Sequence, residues 1–579
     1  MTTRLSIASG QYSDKGRKTL NQDCFGLTEP VTSQRSVKGI TAAIADGISS
    51  SNVSQVASEM AIRNFLEDYY ATPETWTVQR AGSQILHAIN AWLYSQSRRS
   101  EFRYDLNRGY VCTFSALVLR EHTAHLFHAG DTRIYLLRQQ GLEQLTTDHR
   151  VWESSQKSYL ARALGMADTL EVDYRSLPLH LDDIFILATD GMFEFVTPEF
   201  LRLSIHQNLS DLDHAARLIA DNALAQGSDD NITLQILHVT ELPDSTQQNL
   251  VPEARELPLP PVLDAKMAFD GYTIIRNLHT SSRSHVFLAE DNDSGQPVVL
   301  KVPSVEQQHD QTYLDRLMME EWIARRIHSL HVIQPHLPER QRHYLYTASE
   351  YLEGQTLAQW IKDNPQPTLE QVRDIIEQVA RGLRAFHRQE MLHQDLKPDN
   401  IMMDRQGTLK IIDFGSTHIV GLANILADHE QALPGTALYM APEYFLGMGG
   451  SRASDQFSLG VLAYHLLTGT FPYGTQLARC QSAAAQRRLQ YRSILIDEET
   501  EIPAWVDDAI HKATRIDPYK RYPDLFEFVH DLSTPNQEFL RKTRPPLAER
   551  NPVAFWQAIA IIEMIVVLIL LYKLINPGE

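Results

Sequence analysis

Between Glu241 and Lys266 the chain reads ELPDSTQQNLVPEARELPLPPVLDAK, a stretch with five prolines and no sustained apolar period. Proline fixes its own φ, donates no amide hydrogen bond and drives the preceding residue out of the helical region. Neither a long helix nor a central strand can run through such a segment, so the 579 residues must fold as separate bodies. About 240 residues lie before the break and about 270 after it, each enough for a core of its own. The expected division is a globule over 1–240, a semi-rigid linker over 241–267 and a second globule over 268–535. No internal repeat is present.

The C-terminus follows other rules. VAFWQAIAIIEMIVVLILLY, Val553 to Tyr572, carries only Gln557 and Glu563 as strongly polar members. A membrane-crossing helix needs roughly 20 such residues. Arg541, Lys542, Arg544 and Arg550 precede the run, and Lys573 alone follows it. The expectation is a basic juxtamembrane segment over 536–552 and a single transmembrane helix over 553–575. The charge bias would then hold the bulk of the protein on the cytoplasmic side of the cell (inner) membrane. Such an anchor also offers a route to dimers, with Glu563 as a candidate mark of a partner helix. A buried core helix is the competing reading, disfavoured because the run is apolar on every face.

A formal net charge of −19 excludes nucleic acid as a partner, since phosphate binding needs concentrated Lys and Arg. Three widely spaced cysteines, Cys24, Cys112 and Cys480, lack metal-ligand spacing and fit a reducing compartment.

In the first globule, apolar strand-like runs end abruptly in aspartate: GITAAIADG at Asp46, TAHLFHAGD at Asp131 and DIFILATDG at Asp190, while Asp230 stands just before ITLQILHV. Any one Asp-Gly after a strand is more often a hairpin turn. Several carboxylates at neighbouring strand ends can instead converge on one point, giving the hard oxygen ligands that Mg²⁺ or Mn²⁺ requires. Two such ions sharing a water support phosphoester hydrolysis without a covalent intermediate.

With these runs stand NQD (Asn21 to Asp23), GDTRIYLLR (Gly130 to Arg138), QLTTDH (Gln144 to His149), ARALG (Ala161 to Gly165), ATDGMFEFV (Ala188 to Val196) and GSDDNIT (Gly227 to Thr233). In this order they resemble the metal-dependent protein phosphatases of type 2C. That resemblance implies an αββα sandwich and a phosphoserine/phosphothreonine phosphatase using Mn²⁺ or Mg²⁺. It assigns Asp46 as the ligand bridging two metals, the Gly47 carbonyl to the second, and Asp190 and Asp230 to the first. It further assigns Asp23 to orienting metal-bound water and Asp131, with Asp190, to a third metal site. Arg17, rather than Lys18, is expected to bind substrate phosphate, because only guanidinium offers a bidentate fork. After Gly47 the chain continues ISSSN instead of the family's glycine-containing turn, which implies altered substrate access.

The second globule carries HQDLKPDN (His393 to Asn400), IIDFG (Ile411 to Gly415), VVLK ending at Lys301, and GTALYMAPE ending at Glu443, with Asp455 and Arg521 beyond. These resemble the eukaryotic-like Ser/Thr protein kinases, implying a bilobal kinase fold that binds ATP with Mg²⁺. Asp395 would accept the substrate hydroxyl proton, Lys397 would neutralise the moving phosphoryl group, and Asn400 and Asp413 would hold Mg²⁺. Lys301 and Val286 would contact nucleotide. Glu320 is the expected partner of Lys301, since Ile323 and Ile327 share its helical face; Glu321 lacks that match. The glycine positions of the phosphate lid carry His279, Ser281 and Ser284, which implies a slow or weakly binding kinase. Gln394 replaces the arginine that clamps a phosphorylated activation segment, so activity should not require phosphate on Ser416, Thr417 or Thr436.

The combined expectation is a multidomain α+β protein with a single C-terminal transmembrane helix. It would be a bifunctional enzyme that hydrolyses phosphoprotein substrates and phosphorylates protein Ser/Thr non-specifically. The alternatives are a phosphatase regulated by a pseudokinase that binds nucleotide or a partner, and a membrane scaffold.

Overall fold

The structure is a computed structural model. It describes residues 4–30, 32–105, 108–154, 157–243, 257–281, 283–307, 310–338, 340, 342–415, 417–419, 436–496, 502–542 and 552–575. The chain divides into two compact units, Met1–Trp360 with Arg381–Leu433, and Ile361–Ala380 with Pro434–Glu579.

The first unit begins with two five-stranded antiparallel sheets. One contains β1 (Ser6–Asp14), β6 (Arg133–Arg138), β7 (Gly141–Gln144), β11 (Ile184–Ala188) and β12 (Ile232–Glu241), in the order β1-β12-β11-β6-β7. The other contains β2 (Asp23–Thr28), β3 (Ile40–Asp46), β4 (Phe114–Arg120), β5 (Thr123–Ala129) and β10 (Asp173–Pro178), in the order β10-β5-β4-β3-β2. A hairpin of β8 (Arg150–Ser154) and β9 (Lys157–Leu160) stands apart.

Helices α1 (Thr32–Lys38), α2 (Ser54–Ala71) and α3 (Val78–Arg99) go with the second sheet; α4 (Asp190–Phe193), α5 (Pro198–Gln207) and α6 (Leu212–Ala225) go with the first. Between the sheets Ile40, Ile44, Leu117 and Leu119 meet Phe185, Leu187 and Leu237. Outside the first sheet, Ile186, Leu234 and Ile236 meet Ile219 and Ala220 of α6. Covering both faces explains why GITAAIADG and DIFILATDG read as continuous apolar runs rather than alternating ones.

The same unit continues into a sheet of β13 (Ala268–Phe269), β14 (Tyr272–Thr280), β15 (Ser284–Asp291), β16 (Pro297–Pro303) and β17 (Thr347–Glu350), with α7 (Gln311–Arg326) beside it. Residues 244–256 of the expected linker lie outside the described residues. Its later part is not free chain: Leu263 joins the core of this sheet, and Leu257 and Leu259 pack on Leu317, Met318 and Leu345. These leucines, set among the prolines, give that stretch enough apolar surface to dock.

The second unit is helical, with Arg452–Thr468, Ala504–Ala513 and Leu525–Ser533 as its principal helices. Glu443 and Arg521 form a bidentate ion pair there at 2.8 Å for both bonds. The Arg521 side chain is 0% and that of Glu443 6% exposed. Burial alone would lift the Glu443 carboxyl, but Arg521 holds it below its ordinary range.

The transmembrane expectation requires correction. A helix does form over Pro552–Ile575, but among the described residues no helix is long and apolar enough to cross a membrane. The run carries the polar Gln557 and Glu563. The single-pass anchor over 553–575, the membrane as partner and the dimer through that anchor therefore lose their support. Most of the segment expected to be basic and juxtamembrane, 543–551, lies outside the described residues.

Arg521→Ala leaves Glu443 buried without its cation, which costs about 3–5 kcal/mol. Urea unfolding of the full chain should show the transition of the helical unit moved to lower denaturant, with Arg521→Lys recovering only part of the loss.

Candidate active sites

Asp23 opens β2 and Asp46 closes β3, and the register pairs them directly. Opposed residues of an antiparallel ladder have Cα atoms about 4.5–5.5 Å apart and share a face, so the two carboxylates stand side by side. In the other sheet the chain leaves β11 through Thr189 and enters α4 at Asp190. Gly191 permits this turn: a Cβ there would lie 2.0 Å from the Asn231 carbonyl and 3.4 Å from Asp230 Cβ. Gly47 is likewise hemmed in, with the Ser54 and Gln22 carbonyls 2.8 and 2.9 Å from the position of its missing Cβ.

Hydroxyls lock the two sheets in place. Thr189 Oγ1 donates to Asp23 Oδ2 at 2.9 Å and accepts from the Thr233 amide at 3.1 Å. The Thr113 hydroxyl accepts from the Asp46 amide at 3.1 Å, and its own amide donates to the Asp46 carbonyl at 2.8 Å. Asn231 serves the backbone, donating to the Lys15 and Leu20 carbonyls and accepting from the Gln22 amide.

The result is a crowd of negative charge. Burial, reinforced by Asp23, Asp190, Asp131 and Asp230, raises the Asp46 carboxyl well above its usual range. Burial first, then Asp131 and Asp230, pushes Asp190 up to about 7. Burial lifts Asp23 to about 6 against the hydrogen bonds it accepts, and its buried Oδ1 meets no hydrogen-bond donor.

Two cations partly answer that charge. Arg150 spans Asp131 at 2.6 Å, Asp190 at 3.0 Å and Glu194 at 3.2 Å. Lys18 reaches Asp230 at 3.2 Å and Ser49 at 3.2 Å. Of the two candidate phosphate binders, the Arg17 guanidinium turns to the Leu224 carbonyl at 3.5 Å, and Lys18 stands at the carboxylates. Among the described residues no three His, Cys, Asp or Glu side chains meet closely enough to form a ready-made metal cage. Asp23, Asp46, Asp131, Asp190 and Asp230 thus surround a common region without touching a common point. Hard oxygens, an undonated buried oxygen and uncompensated repulsion fit a divalent ion, which would draw them inward and compete with Arg150 and Lys18.

The second site is built on β16. Lys301 lies opposite Val286 of β15 and its Nζ meets Glu320 at 2.7 and 3.0 Å and Asp413 at 3.7 Å. Burial opposes the lysine charge, but Asp413 and Glu320 outweigh it and hold its pKa above the ordinary value. Lys301 in turn depresses Asp413. A Cβ on Gly415 would stand 2.6 Å from Glu320 Oε1. Glu321 does something else: it is buried between Arg325 and Arg342, with Arg342 at 2.7 and 2.9 Å.

Asp395 Oδ2 accepts from Lys397 at 2.8 Å and from Asn400 Nδ2 at 2.9 Å. The Ile412 amide donates to the Asn400 carbonyl at 3.0 Å, which seats Asn400 next to Asp413 along the chain. Gln394 adopts φ +66°, a left-handed backbone that costs a residue with a Cβ of order 1 kcal/mol or more. Phe386 packs against both His393 and Phe414, fixing the two catalytic segments to one helix.

The lid closes on itself. Ser281 Oγ accepts from the amides of Arg283 at 3.3 Å and Ser284 at 3.0 Å and donates to the Ser284 carbonyl at 3.0 Å. Amides that a glycine lid offers to phosphate are thus spent within the turn. Ser416 lies outside the described residues, while Thr417 is buried.

Sequence reasoning missed Arg150, Thr189 and Thr113. Arg150 directly follows QLTTDH and Thr189 lies inside ATDGMFEFV, but a cation or hydroxyl beside an aspartate has no spacing that marks its role.

Residues 272–531 match the protein kinase domain family and residues 11–226 match protein phosphatase 2C. The serine/threonine-protein kinase PknL of Mycobacterium bovis is 30% identical over 294 residues, half of this chain and 71% of its own length. The chain belongs to the serine/threonine protein kinase family. The serine/threonine-protein kinase PrkC of Bacillus subtilis is 27% identical over 274 residues, 47% of this chain and 42% of its own length. The chain spans about half the length of the first curated relatives it matches. A serine/threonine phosphatase of S. agalactiae matches at 22% identity and TM-score 0.36, covering 40% of this chain and all of its own.

Two outcomes follow from this geometry. Arg150→Met removes a competitor for Asp131 and Asp190, so calorimetric titration of Mn²⁺ into metal-free protein should show roughly fivefold tighter binding, the equivalent of about 1 kcal/mol. Ser281→Gly frees the Arg283 and Ser284 amides, so the KM for ATP in steady-state phosphoryl transfer should fall several-fold while kcat changes little.

Proposed function

We propose that this chain is a bifunctional signalling enzyme that hydrolyses phosphoserine and phosphothreonine in proteins through 1–240 and phosphorylates protein serine and threonine through 268–535. The observation that carries it is the convergence of two polar sets, five aspartates at strand ends in one globule, and Lys301, Glu320, Asp395, Lys397, Asn400 and Asp413 in the other. A folded scaffold needs neither set, and each buries charge at a cost.

At the first site the residues present fit two Mn²⁺ or Mg²⁺ ions, which when bound supply an activated water and charge neutralisation. Asp46 and the Gly47 carbonyl, Asp190 and Asp230 would hold them, with Asp131 at a weaker site. Asp23 is held by Thr189 so that its free oxygen can orient a water. Lys18 supplies positive charge for an incoming phosphate.

At the second site ATP with Mg²⁺ would supply the phosphoryl group. Lys301, fixed by Glu320, positions phosphate, and Val286 lies at the nucleotide side of the same strand pair. Asn400 and Asp413 would hold the metal. Asp395 accepts the substrate hydroxyl proton, and Lys397, 2.8 Å away, offsets charge on the moving group.

The three cysteines have no disulfide partner, which supports a reducing, cytoplasmic setting. The self-bonded lid supports a second reading, a phosphatase governed by a nucleotide-binding pseudokinase.

Labelled ATP decides between them. Asp46→Asn should retain label because its eraser is silenced, and Asp46→Asn/Asp395→Asn should retain none. No label in either variant leaves the pseudokinase. Manganese-dependent phosphopeptide hydrolysis should be present in the wild-type chain and fall at least a hundredfold in Asp46→Asn, read by phosphate release.

A further inference from the structure

Helix α7 carries Glu320, so whatever fixes α7 fixes the ion pair to Lys301. Its inner face is occupied by that pair. Its outer face meets the first globule of the same compact unit. Trp322 of α7 and Trp76, which lies between α2 and α3, pack with ring centroids 5.5 Å apart, and they are 0% and 3% exposed.

Charged contacts flank the indoles. Arg326, at the end of α7 and over the Trp322 ring, pairs with Asp68 of α2 at 3.0 Å, and the two side chains are 6% and 14% exposed. Arg80, over the Trp76 ring, pairs with Asp315 near the start of α7 at 3.1 Å.

Two further tethers reach the same machinery. Leu257 and Leu259, at the end of the proline-rich segment, pack on Leu317 and Met318 of α7. At the far end of α3, Arg99 grips Glu390 in a bidentate pair at 2.8 and 3.0 Å. Glu390 stands three residues before His393, at the entry to the Asp395 loop. Nineteen residues separate Arg80 from Arg99, about 28 Å of rigid helix. One helix of the phosphatase-like globule therefore touches both the Glu320 helix and the turn that leads toward the catalytic aspartate.

We propose that the phosphatase-like globule is the positioning partner of the kinase-like site: through Trp76, Asp68 and α3 it holds α7 so that Glu320 stays paired with Lys301. This rests on the kinase reading of the second site for its consequence in catalysis, and on the contacts alone for the restraint of α7. The role is independent of phosphatase chemistry, since none of Trp76, Asp68, Arg80 and Arg99 belongs to the aspartate cluster. Loss of the contact is a route by which a ligand of the first globule could turn the second one off.

The test uses the full chain in the Asp46→Asn background, so that label is not erased. Trp76→Ala and Asp68→Arg should each lower phosphoryl transfer at least tenfold and raise hydrogen exchange across α7, while amides of the β3 and β11 strands stay protected. The charge swap Asp68→Arg/Arg326→Asp should restore most of both. In chains that keep Asp46, Trp76→Ala should hydrolyse phosphopeptide within about twofold of the parent. Unchanged exchange in α7 for both single variants overturns the proposal, as does failure of the swap to restore what the singles lost. If Trp76→Ala unfolds the first globule, Asp68→Arg and its swap decide the matter. A parent that transfers no label sinks the kinase reading, and the exchange of α7 then tests the restraint by itself.

Discussion

Carboxylates cannot be gathered inside a protein without positive charge to answer them, and this constraint shapes both sites. In the first globule five aspartates face one region, and Arg150 and Lys18 fill part of it. What they leave unanswered is visible in the raised carboxyls of Asp23, Asp46 and Asp190. In the second, Lys301 answers Glu320 and Asp413, and Lys397 answers Asp395. The first cluster is left short of charge, as suits a site for divalent ions. The second is closer to balance, because its lysines are permanent members, although burial still lifts the Glu320 carboxyl to about 7 against the pull of Lys301.

The carboxylates are held by backbone geometry more than by one another. Gly191 lets the Asp190 turn touch the Asn231 carbonyl, and Gly415 leaves room for Glu320. Thr189 and Thr113 convert sheet pairing into side-chain placement. Each is a small residue or a hydroxyl with a positional task, so the chemistry of the site and the packing that supports it are hard to vary separately.

The proline-rich segment separates two folding bodies in sequence but does not separate them in contact. The Trp76 and Trp322 pair, with its flanking arginines, sits on the helix that carries Glu320. Such a surface is invisible to motif reading, because an aromatic and an arginine in a helix look the same whether they face a core, solvent or another globule.

The sequence alone determined the apolar strands and singled out the aspartates, lysines and asparagine of the two candidate sites, because these depend on residue type and local spacing, whereas the compact units, Met1–Trp360 with Arg381–Leu433 and Ile361–Ala380 with Pro434–Glu579, do not divide at the proline-rich segment. It pointed to Glu320 over Glu321 through helical phase, and the structure puts Glu320 on Lys301 and Glu321 between arginines. It could not say that the fold turns Arg17 to the Leu224 carbonyl and Lys18 to Asp230, since adjacent cations on one loop differ only in where the fold turns them. It read the C-terminal run as a membrane span from composition, whereas among the described residues no helix is long and apolar enough for one. Only the tertiary structure decided that Arg150 enters the aspartate cluster, that Ser281 consumes the lid amides and that α7 is gripped from outside. Those are contacts between segments far apart in the chain or choices among rotamers, and neither leaves a period or a spacing behind.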